Sequence, residues 1–271
     1  MKIFSWDNIL SFLNTGVQDP FFEGGTGISI GCFDGIHLGH RVLLKALIKE
    51  CGDGLKSGVV TFARPLPSVK HSGDYNGDVS TLSRRLEIFE ELGLDFAIVV
   101  DFDDSFASQL GADFLNILVN ACNMEVLAEG VDFRCGYKGA TDAQAIRYFG
   151  AKNGVKTVFV EPVYFREGTD EEERISSSFI REMVRKGFFA TVGEMLGRPY
   201  DIDVSGVKKS GDGKGKFSVL RKDIVQVLPP DGVYLGFNEA GEDVRLVVSD
   251  GGLDFDVACK GKCELKRFLF K

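Results

Sequence analysis

The sequence lacks the patterns that mark disulfide-rich, secreted or membrane-spanning proteins. Its six cysteines form no Cys-x-x-Cys pair and no dense framework, so we expect free thiols in a reducing cytoplasm. No apolar run is long enough to span a bilayer. Polar residues such as Asp7 and Asn8 interrupt the N-terminal stretch, which lacks the continuous apolar core of a signal peptide. These absences favour a cytoplasmic protein without a membrane partner.

Positive charge is scarce. The chain carries 32 Lys and Arg against 40 Asp and Glu, a formal net charge of −8, which argues against a general nucleic-acid binder. An enzyme that acts on a nucleoside triphosphate needs only local positive charge, so the acidic total does not count against one. A length of 271 residues with 44% hydrophobic residues suffices for one large or two smaller folded domains.

Histidine is rare, and two of the three histidines lie in one glycine-rich stretch, residues 28–41. The apolar start of the stretch predicts a strand, and Gly31 and Gly35 predict a tight turn. The apolar spacing that follows predicts a helix that ends near Gly52.

His37 and His40 are three residues apart, so in the first turn of the predicted helix their rings would share one face. The N-terminus of a helix offers unpaired N–H groups and the positive end of the dipole, which favours a bound phosphate. The alternative is a pair of surface histidines near a helix cap. A zinc site is disfavoured because no cysteine or third histidine lies nearby at ligand spacing.

Strands and helices alternate through residues 28–187, which predicts βα units, a parallel sheet and an α/β fold. The predicted strands after the first are 57–62, 96–100, 125–130 and 155–160, and the predicted helices are 6–13, 81–92, 113–122, 142–153 and 176–187. Ligands of such sheets bind beyond the carboxyl ends of the strands.

The pattern changes near Tyr200. Short alternating runs follow, which predict a small antiparallel β unit with strands at 202–207, 224–228, 232–237, 244–249 and 253–257. We therefore expect two domains, residues 1–199 and 200–271. The run Gly211–Lys216 lacks the spacing of a phosphate-binding loop and predicts a hairpin turn.

Two further segments carry candidate functional residues. Ser176, Ser177 and Ser178 precede an apolar helix that has Arg181 in its first turn, where the helix dipole disfavours a cation. A bound anion would explain that arginine, and a plain N-cap is the alternative. The second segment, Gly130–Gly136, follows a predicted strand. Its alternative explanation is a glycine-bounded turn with the phenylalanine in the core.

The stretch Gly31-Cys-Phe-Asp-Gly-Ile-His-Leu-Gly-His40 resembles the signature of nucleotidyltransferases with a His-x-Gly-His motif. In detail, the chain resembles the bacterial bifunctional riboflavin kinase/FMN adenylyltransferases, or FAD synthetases. The resemblance implies a Rossmann-like parallel-sheet nucleotidyltransferase domain followed by a small antiparallel β domain. It also implies transfer of AMP from ATP to FMN, giving FAD and pyrophosphate, with Mg²⁺ held mainly by the ATP phosphates.

The resemblance assigns roles to individual residues and no protein metal ligand. The catalytic residues it implies are His37, His40, Ser177 and Arg181. The ligand-binding residues it implies are Gly31, Phe33, Asp34, Gly35, Gly39, Phe62, Asp132, Phe133, Ser176 and Ser178. Two places depart from the family pattern: Cys135 stands where the family has Phe, and the loop after Phe62 carries one extra residue before Pro65 and Leu66 in place of His.

The family's kinase half is a β-barrel with a Pro-Thr-Ala-Asn segment, which the tail of this chain lacks, although Gly232-Val-Tyr234 matches a family strand. We therefore expect a remnant of that barrel without riboflavin kinase activity. Two alternatives remain: a related transferase with another phosphate or amine acceptor, and a flavin- or nucleotide-binding protein without turnover. We expect small-molecule substrates and no nucleic acid; the sequence leaves the oligomeric state unknown.

Overall fold

The computed structural model describes residues 1–64, 75–211, 215–258 and 265–271. The strands are β1 Lys2–Ser5, β2 Thr26–Ile30, β3 Lys56–Phe62, β4 Phe96–Val100, β5 Met124–Gly130, β6 Lys156–Val160, β7 Tyr164–Phe165, β8 Glu173–Arg174, β9 Asp201–Asp203, β10 Ser210–Gly211, β11 Lys216–Leu220, β12 Gly232–Phe237, β13 Asp243–Ser249, β14 Gly252–Val257 and β15 Arg267–Phe270. The α-helices are Trp6–Thr15, Leu38–Cys51, Leu82–Glu91, Asp104–Ala107, Gly111–Cys122, Ala143–Asn153, Ser177–Lys186 and Phe189–Leu196, and short 3-10 helices lie at Pro20–Phe22, Tyr137–Gly139 and Arg221–Asp223.

The first sheet is parallel and has the strand order β1-β4-β3-β2-β5-β6. β2 is buried along its whole length and β4 at four of its five residues, as expected of parallel strands covered on both faces. On one face, Ile28, Ile30 and Val60 join a core that also includes Ile9 and Leu118 from two helices. The predicted α/β class and parallel sheet are confirmed.

A seven-stranded antiparallel sheet follows in the C-terminal part, with the order β10-β11-β14-β13-β12-β15-β9. Its strands alternate buried and exposed residues, as β13 shows, which is the pattern of a sheet with one buried face. Strands β7 and β8 form a separate two-stranded ribbon. The predicted antiparallel β unit is confirmed.

The described chain forms two compact units that interleave in sequence. The first contains Met1–Phe33, Gly39–Ser72 and Leu86–Val163, and the second contains Asp34–Leu38, Gly73–Arg85 and Tyr164–Lys271. The first sheet lies in the first unit and the antiparallel sheet in the second. The domain boundary at residue 200 stays a prediction.

Two element predictions are wrong, and the strand predicted at 202–207 is limited to Asp201–Asp203. The first concerns Leu38, where the helix after β2 begins, so His37 lies one residue before it rather than in its first turn. The second concerns residues 224–228, where no strand forms among the described residues; instead a 3-10 turn, Arg221–Asp223, precedes an isolated bridge between Gln226 and Asp78. Because Asp78 and Gln226 are far apart in sequence, the local pattern of apolar residues could not predict their pairing. The flanks of the predicted hairpin at 211–216 are paired as β10 and β11, while its centre lies outside the described residues.

None of the helices in the described part of the chain combines the length and apolar character needed to cross a bilayer.

Candidate active site

The turn after β2 has an uncommon backbone. Phe33 and Ile36 have φ of 49° and 42°, a region that side chains with a Cβ rarely adopt. Gly35 has φ of 83°, and a Cβ there would lie 2.7 Å from Val79 Cγ1. The turn therefore requires glycine at this position. Strained loops of this kind persist where the surrounding structure holds them, and they are concentrated at functional sites.

The two histidines of the turn flank the N-terminus of the helix Leu38–Cys51. His37 is 6% exposed and immediately precedes the helix, while His40 is half-buried in its first turn. The His40 ring lies edge-on to Phe33, with ring centroids 5.3 Å apart and an interplanar angle of 73°. Gly39 lies between the histidines, where the absence of a side chain leaves the backbone accessible. Two imidazole side chains and the positive end of a helix dipole thus coincide at one helix end.

Asp34, from the same turn, is buried and fully engaged within the second unit. Its carboxylate accepts hydrogen bonds from the backbone N–H of Val79 at 2.9 Å and of Ser80 at 3.1 Å. It also forms an ion pair with Arg181, whose Nη2 lies 2.5 Å from Oδ2. Direct binding of a ligand by Asp34 stays a prediction. In this structure its carboxylate binds the backbone of Val79 and Ser80 and the side chain of Arg181.

Ser177 and Arg181 both reach this turn from the helix Ser177–Lys186. The Ser177 hydroxyl donates to the carbonyl oxygen of Asp34 at 2.8 Å. Arg181 Nε donates to the carbonyl oxygen of Gly77 at 2.9 Å, beside its ion pair with Asp34. A guanidinium has five N–H groups, so further donors remain for an anion. The structure therefore brings two of the predicted catalytic residues, Ser177 and Arg181, to the turn after β2. We call this turn, residues 31–40, the histidine turn.

The other serines of this segment differ in role. Ser176 is the N-cap of the helix and accepts a hydrogen bond from the N–H of Phe179 at 3.2 Å, which confirms the N-cap alternative for that residue. Ser178 is exposed on the first turn. Roles for either serine in ligand binding stay predictions.

Two titratable groups beside Arg181 were not predicted. The Tyr75 ring faces the guanidinium at 5.1 Å, and its hydroxyl donates to Asp78 Oδ1 at 2.5 Å. Burial raises the pKa of Asp78 to about 6, against the stabilising effect of the Tyr75 hydrogen bond on the charged form. Burial likewise raises the pKa of Tyr75. No motif signals these residues, because they come from a polar loop and meet Arg181 only through the fold.

An aromatic cavity of about 320 Å³ lies in the first unit, at the carboxyl ends of β2, β3, β4 and β5. Its lining includes the predicted residues Gly31, Phe62 and Phe133, together with Cys135. Three phenylalanines of the wall were missed: Phe102, Phe106 and Phe114. They pack edge to face, as the 5.8 Å between the Phe62 and Phe106 centroids shows. A flat aromatic ligand is the natural occupant of such a cavity.

The cavity lies at the point where the strand order reverses, between β2 and β5. Pairing of these strands stops at Ile28 and Leu127, and the sheet opens beyond them. The buried carboxyl of Glu129 enters the gap and accepts the N–H of Ile30 at 2.6 Å. Burial raises the pKa of Glu129 well above its ordinary value, against the effect of the Ile30 hydrogen bond, which favours the charged form.

Of the two departures from the family pattern, the structure locates one. Cys135 lines the aromatic cavity, and burial raises the pKa of its thiol to about 12, so it contributes a small neutral side chain rather than a ring. Pro65 and Leu66 lie outside the described residues. Asp132 is exposed, and the described cavity lining includes its neighbour Phe133 but not Asp132 itself.

Among the residues that the structure describes, no three His, Cys, Asp or Glu side chains are grouped to hold a metal ion. The groups at the histidine turn include the Arg181 guanidinium as well as the carboxylates of Asp34 and Asp78. A guanidinium and two imidazoles suit an anion such as a polyphosphate.

Comparison with known proteins identifies relatives for most of the chain. A model of the FAD synthetase family matches residues 21–179. The bifunctional riboflavin kinase/FMN adenylyltransferase of Escherichia coli K12 is 31% identical over 221 residues, which cover 78% of this chain and 67% of that protein. The enzymes of the same name from Bacillus subtilis and Buchnera aphidicola are 28% and 26% identical and cover 76% and 66% of this chain.

The chain spans 65% of the Bacillus protein and 57% of the Buchnera protein. Among solved structures, the macrolide-efflux protein of Streptococcus pneumoniae shares the fold. It superposes with a TM-score of 0.76 at 20% identity and covers 100% of this chain and 90% of that one.

Proposed function

The chain belongs to the FAD synthetase family, and from that premise we propose that it is an FMN adenylyltransferase, which transfers AMP from ATP to FMN and forms FAD and pyrophosphate. The observation that supports this proposal most strongly is the junction of the histidine turn with the helix Ser177–Lys186. Ser177 and Arg181 both bond to Asp34, three residues before His37 in the chain.

In the proposed reaction, a phosphate oxygen of FMN attacks the α-phosphorus of ATP, and the bond to pyrophosphate breaks. The attacking phosphate is already deprotonated near pH 7, so no protein base is needed. The protein's task is to position the groups and to stabilise charge on the phosphate oxygens. His37, His40 and the N–H groups at the start of the helix Leu38–Cys51 suit donation to those oxygens. Arg181 suits the departing pyrophosphate.

The aromatic cavity is the proposed flavin site. Its wall of phenylalanines fits the flat isoalloxazine ring, and about 320 Å³ lies within the range of small-molecule sites. Phe62 and Phe133 would contact the ring, and Cys135 would leave space beside it. A role for Asp132 would require its exposed side chain to reach a polar part of the flavin.

Mg²⁺ belongs to the same proposal. The ion would be held mainly by ATP phosphate oxygens and water. Bound there, Mg²⁺ would neutralise phosphate charge. A cytoplasmic location is also proposed and rests on the free cysteines Cys32, Cys51, Cys122 and Cys135.

We further propose that the chain does not phosphorylate riboflavin. The hydroxyl of riboflavin is a poor nucleophile, and its transfer needs a positioned base and a metal-nucleotide site. The tail beyond Tyr200 lacks the Pro-Thr-Ala-Asn segment that serves this purpose in the family.

The acceptor is tested by incubating the pure protein with ATP, Mg²⁺ and one of FMN, riboflavin or phosphopantetheine. We expect FAD from FMN and no product from the other two. Adenylylated phosphopantetheine would instead identify a related transferase with a different acceptor. Catalytic formation of FMN from riboflavin would contradict the absence of kinase activity.

A further inference from the structure

A segment of the C-terminal tail pairs with the loop that holds Asp34. The N–H of Asp78 donates to the carbonyl of Val225 at 2.8 Å, and the N–H of Val227 donates to the carbonyl of Asp78 at 2.8 Å. Gly77 packs so tightly on this segment that a Cβ would lie 2.6 Å from the nitrogen of Val227. All of these residues belong to the second unit.

Gln226 is the central residue of the pairing and is 3% exposed. Its Nε2 donates to the carbonyl of Val79 at 3.1 Å and to the carbonyl of Asp201 at 2.7 Å. Its Oε1 accepts the N–H of Asp203 at 2.7 Å. Both amide hydrogens and the oxygen are therefore used, and a buried amide with all these partners has one orientation.

The same loop holds the pair on which the proposed phosphate site depends. Val79 offers its carbonyl to Gln226 and its N–H to Asp34, so a single peptide segment connects the two side chains. Gly77, two residues before Val79, accepts a hydrogen bond from Arg181 Nε at its carbonyl oxygen. The position of the Asp34–Arg181 ion pair is thus tied to the position of Gln226.

We propose that Gln226 is a positioning residue for Arg181, and that the C-terminal β unit thereby contributes to binding of the ATP polyphosphate. This inference rests on the proposed function, since it takes Arg181 to contact the departing phosphates. It gives the tail a role in the adenylyl transfer that does not depend on any kinase chemistry.

The test replaces Gln226 with Met, which has similar length and no amide. Freed of its anchor, the loop 77–80 should let the Asp34–Arg181 pair shift. We expect the dissociation constant of Mg²⁺-ATP, measured by titration without flavin, to rise about tenfold, because a displaced Arg181 donates less well to the polyphosphate. The dissociation constant of FMN should change less than twofold.

The matched control is Asn238→Ala. Asn238 is another buried amide of the same β unit, and it bonds only within its own turn, to Ala240 and Glu242, in the contacts that the structure gives it. It should lower the melting temperature while leaving ATP binding unchanged. Equal effects of the two variants on ATP binding would show that the tail contributes general stability alone, and would overturn the proposal.

Should Gln226→Met fail to fold, Gln226→Asn keeps the amide but shortens its reach, and a smaller loss of ATP affinity is expected. Unchanged ATP binding in a folded variant would overturn the proposal. Because ATP binding is measured without turnover, a wild-type protein that binds ATP but makes no FAD refutes the proposed function and still decides the role of Gln226. A wild-type protein that does not bind ATP overturns both.

Discussion

Glu129 and Ile30 bridge the opening between β2 and β5. The Ile30 N–H lies 2.6 Å from Glu129 Oε1, beyond the last paired residues of the two strands. From the other side, the N–H of Gly31 donates to the carbonyl of Val60 at 3.0 Å, and Thr61 Oγ1 donates to the carbonyl of Cys32 at 3.2 Å. The wall of the aromatic cavity is therefore held on both sides, and an acid at its base replaces a missing ladder bond.

Replacement of Glu129 by Gln should stabilise the protein increasingly as pH rises. Burial raises the native pKa of Glu129 above the ordinary value of 4.5, so the native state binds more protons than the unfolded state above that pH. The group's contribution to stability is present below the unfolded pKa and is lost as pH rises towards the native pKa. Gln keeps the acceptor for Ile30 without this loss. Urea unfolding from about pH 4 to pH 8 measures the difference, with the exposed Glu125→Gln as control. A difference that does not vary with pH contradicts a raised pKa for Glu129.

Replacement of Phe133 by Ala should weaken FMN binding at least tenfold and leave ATP binding unchanged, because a large ring is removed from the cavity wall. Flavin fluorescence titration measures this effect, with the exposed Tyr148→Ala as the aromatic control.

Replacement of Asp132 by Ala should weaken FMN binding and leave ATP binding unchanged if the Asp132 carboxylate reaches the flavin. Loss of ATP and FMN binding together would identify Asp132 as a residue of the turn.

Replacement of His40 by Ala should lower kcat about a hundredfold with a modest change in the KM for ATP. Its donor becomes more important as charge builds on the transferring phosphate, and loss of one such donor costs on the order of 3 kcal/mol. Steady-state kinetics measures the split between kcat and KM. Arg41→Ala, at the next position of the same helix, is the control for helix stability. Turnover near that of the wild type would remove His40 from the catalytic group.

Replacement of Asp34 by Ala should lower the free energy of unfolding by about 3–5 kcal/mol, since it leaves a largely buried guanidinium and two backbone donors without their acceptor. Asp34→Asn keeps an acceptor and should cost less. Urea unfolding of both variants measures the order. Two variants of equal stability would show that the carboxylate charge and not its acceptor role holds Arg181.

Five of the six strands of the parallel sheet follow from local pattern, whereas the edge strand β1 was not predicted. Phe96–Val100 is a short apolar run, as expected of a strand covered on both faces, and Ser176 caps its helix as the run of serines predicts. The histidine turn was likewise predictable, because its glycines and histidines lie close together in sequence, between a predicted strand and a predicted helix. Its exact helix start was not, since one residue decides whether His37 lies inside the helix.

The rest of the site depends on contacts between distant parts of the chain. In the sequence, Glu129 is an isolated acidic residue within a predicted strand. The structure shows why it is buried: β2 and β5 separate beyond Ile28 and Leu127, and its carboxyl accepts the N–H of Ile30. Phe106 lies on a four-residue helix, which is too short to show the periodicity of apolar residues that predicts a helix. Gln226 lies in a run that predicts a strand, and its three hydrogen bonds reach residues more than twenty positions away.

The most direct test of the account follows the α-phosphate. The protein is incubated with FMN, Mg²⁺ and ATP labelled at the α-phosphorus, and the products are separated by chromatography. If the chain transfers AMP to FMN, the label appears in FAD in proportion to the FMN consumed, while the released pyrophosphate is unlabelled. Label that stays in ATP at high enzyme concentration, with FMN bound but unchanged, would contradict adenylyl transfer and leave a flavin-binding protein.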